Sequence, residues 1–304
     1  MESLFSITDF MPEESKCADV LRKLRWGDGP IKCPRCTSER IKSNGTYHQH
    51  YHKFYCHQCK RSFTEKTGTI FDNSKLTLSE WFYIARELQR NISMNQIHKD
   101  LGIAYQHLMH ASHKLMDSVY MKRLVELEGE DIEVDEMYQS AGSKGKKQTE
   151  RKPRKRGLKL RGRGTYDKDK PPIVAVVARK GKAVIEMFHD LSKRNIDAFL
   201  YNVTGRFFHT DDFRIYWHLD DEPGIVHESV NHSRKEYAAG YKHTNTVEGL
   251  YSGLRTWLRR YKGVSKDNMY KFVSLFQFNY NHRELHPMLL LDALLETVFL
   301  GAVI

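Results

Sequence analysis

Apolar residues recur at two different periods along this chain, and the change between them divides it. From Thr77 the spacing is helical. "TLSE" reads as a capping box, Thr77 at the cap and Glu80 three residues on, opening the helix "LSEWFYIARELQR". "SMNQ", Ser93 to Gln96, reads as a second capping box on a short helix. Leu101-Gly102 then turns the chain, and a longer helix, "AYQHLMHASHKLMDSVY", runs from Ala104. Short helix, glycine turn, longer helix is helix-turn-helix spacing. Past residue 125 the period drops to two. In "EDIEVDEMY" Ile132 and Val134 point one way, Glu133 and Asp135 the other. "PPIVAVVARKGKAVIEMFHD" reads as two strands joined at a Lys-Gly turn, and "KRNIDAFLYNV" as a helix. "RFFHTDDFRIYWHL" reads as a strand ending at Asp211 followed by a helix. "GIVHESV" is a further strand, and "HTNTVEGLYSGLRTWLRRYKGV" a further helix. The order β, β-hairpin, α, β, α, β, α predicts a mixed sheet flanked by helices.

The segment before Thr77 is organised by cysteine. Cys33 and Cys36 in "CPRC" and Cys56 and Cys59 in "CHQC" form two Cys-x2-Cys pairs separated by nineteen residues. A two-residue gap lets one tight knuckle present two thiolates, and two knuckles complete a zinc tetrahedron. The spacer carries the turn signal Asn44-Gly45 followed by a strand-like segment, which predicts a zinc ribbon. Four thiolates leave no open position, so the zinc is expected to be structural. His48, His50, His52 and His57 are expected on the surface, and Cys17, beside Val20, Leu21 and Leu24, in a small core. Paired cysteines at this spacing also point to a reducing compartment rather than to disulfides.

Charge adds a partner. The chain has 304 residues, enough for two or three domains, and a formal net charge of +11. Residues 141–170 hold thirteen Lys and Arg against three acids, so this insert carries +10 and the rest is nearly neutral. That favours nucleic acid over membrane. Like charges so dense cannot pack together, so a loop that orders on DNA is expected, with Arg154, Arg156, Arg161 and Arg163 on phosphates. Tyr105, Gln106, His107 and His110 would face a groove. No signal peptide is visible. The apolar C-terminus "PMLLLDALLETVFLGAVI" is interrupted by Asp292 and Glu296, which suits a packed helix or a dimer contact better than a membrane span.

The candidate chemistry lies in three acids: Asp135 at the end of the first strand of the sheet, Asp211 at the end of a later strand, and Glu248 on a helix. Alone, each is an ordinary turn or cap residue, and Glu136 and Asp212 compete as immediate neighbours. Together they suit two divalent ions about 4 Å apart, bridged by carboxylates from several elements. Hard oxygen donors select magnesium or manganese. Glu248 is a lone acid followed by Arg255, Arg259, Arg260 and Lys262. Arg255 lies two helical turns beyond it, on the same face, where it would hold DNA.

"RWGDGPIKCPRC", "VDEMY", "HTD", "NHS", "HTNTVEGLYSGLRTWLRRYKGVS" and "FNYNHR" together resemble the DDE transposases of ISXO-type zinc-ribbon insertion sequences, whose eukaryotic relatives are the Merlin elements. The resemblance runs from about Trp26 to about Arg283. It implies an α+β multidomain chain: a zinc ribbon over 1–72, a helix-turn-helix-like helical domain over 73–125, an RNase H-like mixed α/β catalytic domain over 126–286, and a C-terminal helix over 287–304. It implies that Asp135, Asp211 and Glu248 are the catalytic, metal-holding residues. Asn245 then either supports the ligands from behind or competes with them for the metal, and His243 is a contact to phosphate or leaving group. The insert departs from the commonest pattern, in which a short glycine turn follows "VDEMY"; "RGRGTYDKDKPP" resembles a subgroup with a longer insert. The expected function is cleavage and strand transfer at the ends of an insertion sequence. Structural zinc, catalytic magnesium or manganese, double-stranded DNA, and a homodimer or larger assembly on that DNA go with it. The place of action is the nucleoid of a prokaryotic cytoplasm, or the nucleus of a eukaryote. The rivals are a non-enzymatic DNA-binding regulator derived from a transposase and a nuclease that cuts without joining.

Overall fold

The structure, a computed structural model, describes residues 11–145, 162–230 and 243–300. The chain forms two compact units, residues 1–122 with 284–304, and residues 123–283.

In the first unit, helix α1 (Glu14–Trp26) precedes a three-stranded antiparallel sheet of β1 (Ile41–Tyr47), β2 (Tyr51–Cys56) and β3 (Ser62–Phe63). The hairpin does not turn at Asn44-Gly45. Those residues lie within β1, where the register shifts between Ser43 and Thr46 and Gly45 takes φ 77°. The glycine makes a bulge. The turn falls at His48 and Gln49, whose φ values of 49° and 63° put them in the left-handed region, the conformation that matches a tight turn to the right-handed twist of its strands. Helices α2 (Leu78–Gln89), α3 (Met94–Leu101) and α4 (Tyr105–Met121) follow. The Thr77–Glu80 capping box is present in both directions. At Ser93 only half the box forms: its hydroxyl accepts the Gln96 amide, while the Gln96 side chain goes to Asp100 at 2.6 Å. Gly102 closes α3 in the left-handed region, φ 62°. The C-terminal apolar run is helix α8 (Pro287–Leu300). It buries Leu294, Leu295, Val298 and Phe299 and packs on α1, α2 and α4. Cys17 is buried, as its neighbours predict. Among the described residues no helix is long and apolar enough to cross a membrane.

The second unit is built on a five-stranded mixed sheet. Its strands are β5 (Asp131–Tyr138), β6 (Pro172–Ala178), β7 (Ala183–Met187), β9 (Phe207–Asp211) and β10 (Val226–Val230), in the order β10-β9-β5-β6-β7. Numbered along the chain that order is 5-4-1-2-3. The first three strands are antiparallel neighbours, and β9 and β10 join in parallel. This is the expected RNase H-like arrangement. Strand β6 is buried along its whole length, which is why it reads as an unbroken apolar run. A small parallel pair, β4 (Leu127–Glu128) with β8 (Val203–Thr204), lies outside the main sheet. Helices α5 (Lys193–Leu200), α6 (Asn245–Arg259) and α7 (Met269–Asn281) complete the unit. One face of the sheet forms a core of Ile132, Val134, Val174, Val176, Phe208 and Tyr216 with α5. On the other, α6 meets β5 and β6, and α7 meets β7. The segment after Asp211 is a 3-10 helix, Arg214–Asp221, rather than the expected α-helix.

Candidate active site and zinc ribbon

Strand β5 arranges the site through its alternation. Ile132 and Val134 enter the core. Glu133, fully buried, points to the α6 side. Its carboxylate accepts the amides of Thr246 at 2.8 Å and Val247 at 3.0 Å, the Thr246 hydroxyl at 2.8 Å, and Arg179 Nε at 2.7 Å. The nominal cap residue, Thr244, makes no side-chain cap bond to the helix amides. A strand carboxylate therefore caps α6 and meets the positive end of its dipole. The same strand then carries Asp135, so the helix that bears Glu248 is fixed to the strand that bears Asp135.

Strands β5 and β9 pair Ile132 with Phe208 and Glu133 with His209. That register carried forward sets Asp135 level with Asp211. Beyond Glu133 no further pairing between the two strands forms, and carboxylates occupy the opening. Oxygens of Asp135, Glu136 and Asp211 lie within 4.8 Å of one another. Asp135 Oδ1 accepts the Glu136 amide at 2.8 Å, and Asp211 Oδ1 the Phe213 amide at 3.1 Å. Burial, followed by the charge of Asp211, lifts the Asp135 carboxyl to about 7; Arg255 pulls it the other way. Burial, then Asp211 and Asp135, lifts Glu136 to about 8, against the Tyr216 hydroxyl and Arg163. Three carboxylates brought this close form a hard-oxygen set suited to a divalent ion.

Glu248 stands on the exposed face of α6, in the first turn, outside that trio; its charge reaches Asp135, and Thr244 Oγ1 donates to it at 3.4 Å. Asn245 is exposed at the start of the same helix. His243 is half-buried, its ring 3.4 Å from Glu133 and its carbonyl accepting from Arg179 at 2.8 Å. Arg255 and Arg259 line a cleft beside the site, and Arg260 and Lys262 are exposed where the helix ends. Arg163 stacks on Phe213 at 3.5 Å and lies 3.8 Å from Glu136. Arg154, Arg156 and Arg161 lie outside the described residues. The two ends of the basic insert are clipped to the segment after α6: Lys144 donates to the Gly263 carbonyl at 2.7 Å, and Lys266 pairs with Asp169 at 3.3 Å.

Two further residues complete the site. The buried Tyr251 hydroxyl donates to the Asp135 carbonyl at 2.5 Å and accepts the Ala175 amide at 2.9 Å. Asp135 and Ala175 are ladder partners, so the hydroxyl is wedged into the sheet at the candidate residue. Tyr216 donates to Glu136 at 3.1 Å. Neither tyrosine stands out in the sequence. The one available hint is that Tyr251 follows Glu248 by three residues.

In the ribbon the four cysteine sulfurs also lie within 4.8 Å of one another, with Cys33–Cys59 at 3.6 Å and Cys36–Cys56 at 3.5 Å. A tetrahedron with zinc–sulfur bonds of about 2.3 Å needs sulfurs about 3.8 Å apart, so the set fits zinc. The two knuckles match. The Thr37 amide donates to the Cys33 carbonyl and the Lys60 amide to the Cys56 carbonyl, both at 2.9 Å, with Thr37 and Lys60 in the left-handed region. The Cys59 amide, chief among the backbone donors, draws the Cys56 thiol down to about 6. Trp26, Phe54 and Phe63 pack behind the cluster. His48, His50 and His57 are exposed, as expected. His52 instead turns to the fully buried Glu65 at 2.8 Å, with Arg22 against its ring, because a buried carboxylate demands a donor. Tyr105, Gln106, His107 and His110 are all exposed at the start of α4.

A zinc ribbon joined to an RNase H-like sheet with acids gathered where two of its strands part defines the class of zinc-ribbon transposases. The comparisons agree. The ISXO2-like transposase domain matches residues 126–281 and the transposase zinc-ribbon domain residues 12–62. An uncharacterized protein in transposable element ISH50 of Halobacterium salinarum is 32% identical over 278 residues, spanning 87% of this chain and 90% of its own. The chain belongs to the ISXO2-like transposase family. A crystal structure of a pre-cleavage Mos1 transpososome matches at 10% identity, covering 62% of this chain and 72% of its own with a TM-score of 0.23, too loose a superposition to bear on the fold.

Proposed function

We propose that this protein binds the ends of an insertion sequence, hydrolyses phosphodiesters there, and joins the freed 3′-hydroxyls to target DNA. The observation that carries this reading is the convergence of Asp135, inside β5, and Asp211, at the end of β9, where the pairing of those two strands stops, with Glu248 on a helix tied to the same strand β5. Asp135, Asp211 and Glu248 are the catalytic acids, and Glu136 shares the cluster. Magnesium or manganese held there would sharpen the attacking oxygen and neutralise the leaving one. In the first reaction a water oxygen bonds to phosphorus and the bond to the 3′ oxygen breaks, leaving a 3′-hydroxyl and a 5′-phosphate. In the second that 3′-hydroxyl attacks a target phosphodiester and displaces its 3′ oxygen. Neither step needs a covalent enzyme intermediate.

The chain's own residues orient the strand. Arg255 and Arg259 take backbone phosphates beside the acids, and Arg260, Lys262 and the basic insert extend the contact. Asn245 and His243 lie at the head of the same helix. Four thiolates hold a structural zinc, and the ribbon and the exposed start of α4 read the element's end. Two ends must be held together, so a homodimer or larger assembly on DNA is expected, acting at the nucleoid of a prokaryotic host.

The test uses purified protein, magnesium or manganese, and a labelled fragment carrying the terminal repeat. Wild type should release a 3′-hydroxyl and join it to a plasmid, while Asp135→Ala binds without cutting. Binding alike by both with no cleavage under either metal would leave a DNA-binding regulator; cleavage without joining would leave a nuclease.

A further inference from the structure

Beside the carboxylate cluster, the second unit contains a cleft of about 430 Å³. That is at the lower end of the roughly 300–1,000 Å³ typical of small-molecule sites. It is too small for a double helix and large enough for one nucleotide. Its chemistry is divided. Leu258 and Met269 give an apolar floor, Tyr138 an aromatic wall, and Arg255, Arg259 and Lys170 a cationic rim; among the described residues none that lines it is acidic. Among the described residues neither arginine has a carboxylate within ion-pair distance. A surface that only needed solvent would not ring an apolar floor with three cations. A nucleotide, which joins a flat apolar base to an anionic phosphate, matches both parts.

Its place in the fold supplies the strand. Tyr138 continues β5 three residues past Asp135, roughly 10 Å along an extended chain. Arg255 and Arg259 extend α6 beyond Glu248. A DNA strand with a phosphate at the acids therefore passes the cleft within a nucleotide or two. We propose that the cleft takes one unpaired nucleotide of the bound DNA, its base against Tyr138, Leu258 and Met269 and its phosphates on Arg255 and Arg259. This rests on the DNA-binding part of the function proposed above, not on cleavage.

The test is a binding comparison with the full chain by fluorescence anisotropy, without divalent metal. Three duplexes of one sequence are used: fully paired, with a single-nucleotide bulge, and with an abasic residue at that bulge. The bulged duplex should bind at least about five-fold tighter than the paired one, the low end of what stacking one base contributes. The abasic bulge should lose that gain. Ser140→Trp, which puts an indole into the cleft from its rim, should abolish the preference and leave affinity for the paired duplex unchanged. Equal affinity for all three duplexes overturns the proposal. So does an abasic bulge that binds as tightly as the base-bearing one, because the protein is then sensing only a bend. The duplex arms need no variant, so a misfolded Ser140→Trp protein does not shelter the idea. If no duplex binds at all, the DNA-binding reading itself fails and the cleft proposal falls with it. A preference for the bulge in a protein that never cuts would sustain the cleft and sink only the catalytic reading.

Discussion

Replacing Glu133 should damage the site without touching any residue proposed to hold metal. Its carboxylate is fully buried and accepts four bonds at 2.7–3.0 Å: two from α6 amides, one from Thr246 and one from Arg179. Glu133→Ala deletes all of them. It leaves two amides of the first α6 turn without a partner and a largely buried guanidinium with less of its counter-charge, although Asp131 remains 3.6 Å away. Removing one partner of a buried ion pair costs about 3–5 kcal/mol, and loss of a helix cap about 0.5–2 kcal/mol. The two losses overlap here, so about 4 kcal/mol is expected for Ala. Glu133→Gln keeps an oxygen for the amides but loses the charge facing Arg179, and about 1–3 kcal/mol is expected, the worth of hydrogen bonds to a charged group. Against a typical domain stability of about 5–15 kcal/mol the Ala variant is marginal. Urea unfolding gives the global loss. Amide exchange gives its location: Thr246 and Val247 should lose protection before the strands of the sheet do. Cleavage should fall further than stability alone explains, since a frayed first turn releases Glu248 from its position relative to Asp135. Ala and Gln variants within about 1 kcal/mol of wild type, with the first turn of α6 still protected, would refute the capping role.

Three further outcomes are expected. Tyr251→Phe removes a hydroxyl that serves the Asp135 carbonyl and the Ala175 amide; it should cost about 1–3 kcal/mol, the penalty for stranding buried polar groups, and weaken manganese binding measured by titration calorimetry. An unchanged unfolding midpoint would mean that the ladder simply closes over the gap. In metal-free protein Asp135 and Glu136 keep their protons to about 7 and about 8, far above their ordinary values of 3.8 and 4.5. Their contribution to stability is thus present below about pH 4 and lost as pH rises towards 8, so the melting temperature should fall over that window, less so in Glu136→Gln, and added manganese should restore it most at pH 8; a manganese effect that grows toward pH 5 has the wrong sign. Purified chain should hold one zinc by atomic absorption, and chelation should unfold the ribbon and red-shift Trp26, which packs on Phe54 at 5.7 Å; chelator-treated protein with unchanged emission and no zinc would count against the tetrahedral site.

What the sequence made legible is what depends on neighbours along the chain. Two Cys-x2-Cys knuckles fix their thiolates through bonds spanning four residues, so the spacing alone carried the ribbon. The alternation in "EDIEVDEMY" and the unbroken run in β6 made the first strands of the mixed sheet readable, though not the order of its strands. Local patterns failed where a second element decides. Asn44-Gly45 is a strong turn pair, yet it became a bulge because the cross-strand register placed the turn at His48-Gln49. Gln96 had the right offset for a capping box and took Asp100 instead. His52 looked like its exposed neighbours and is claimed by Glu65 from a later segment.

The same division explains the candidate site. Asp211 was readable as an acid at a strand end, whereas Asp135, expected at one too, lies inside β5, which runs on to Tyr138 against β6; their meeting depends on a parallel pairing between strands about seventy residues apart. Glu133 gave no sign that it caps a helix more than a hundred residues later, because capping rules describe a residue next to its helix in sequence. Tyr251 likewise resembles any aromatic on a buried helix face. One strand nevertheless organises the whole arrangement. Ile132 and Val134 anchor β5 in the core, Glu133 holds the helix that carries Glu248, and Asp135 with Glu136 meets Asp211 where the pairing of β5 with β9 stops. A one-residue slip of β5 would bury Asp135 in the core and turn Val134 toward α6. The alternation that makes the strand fold is therefore the same feature that sets the distances among the acids.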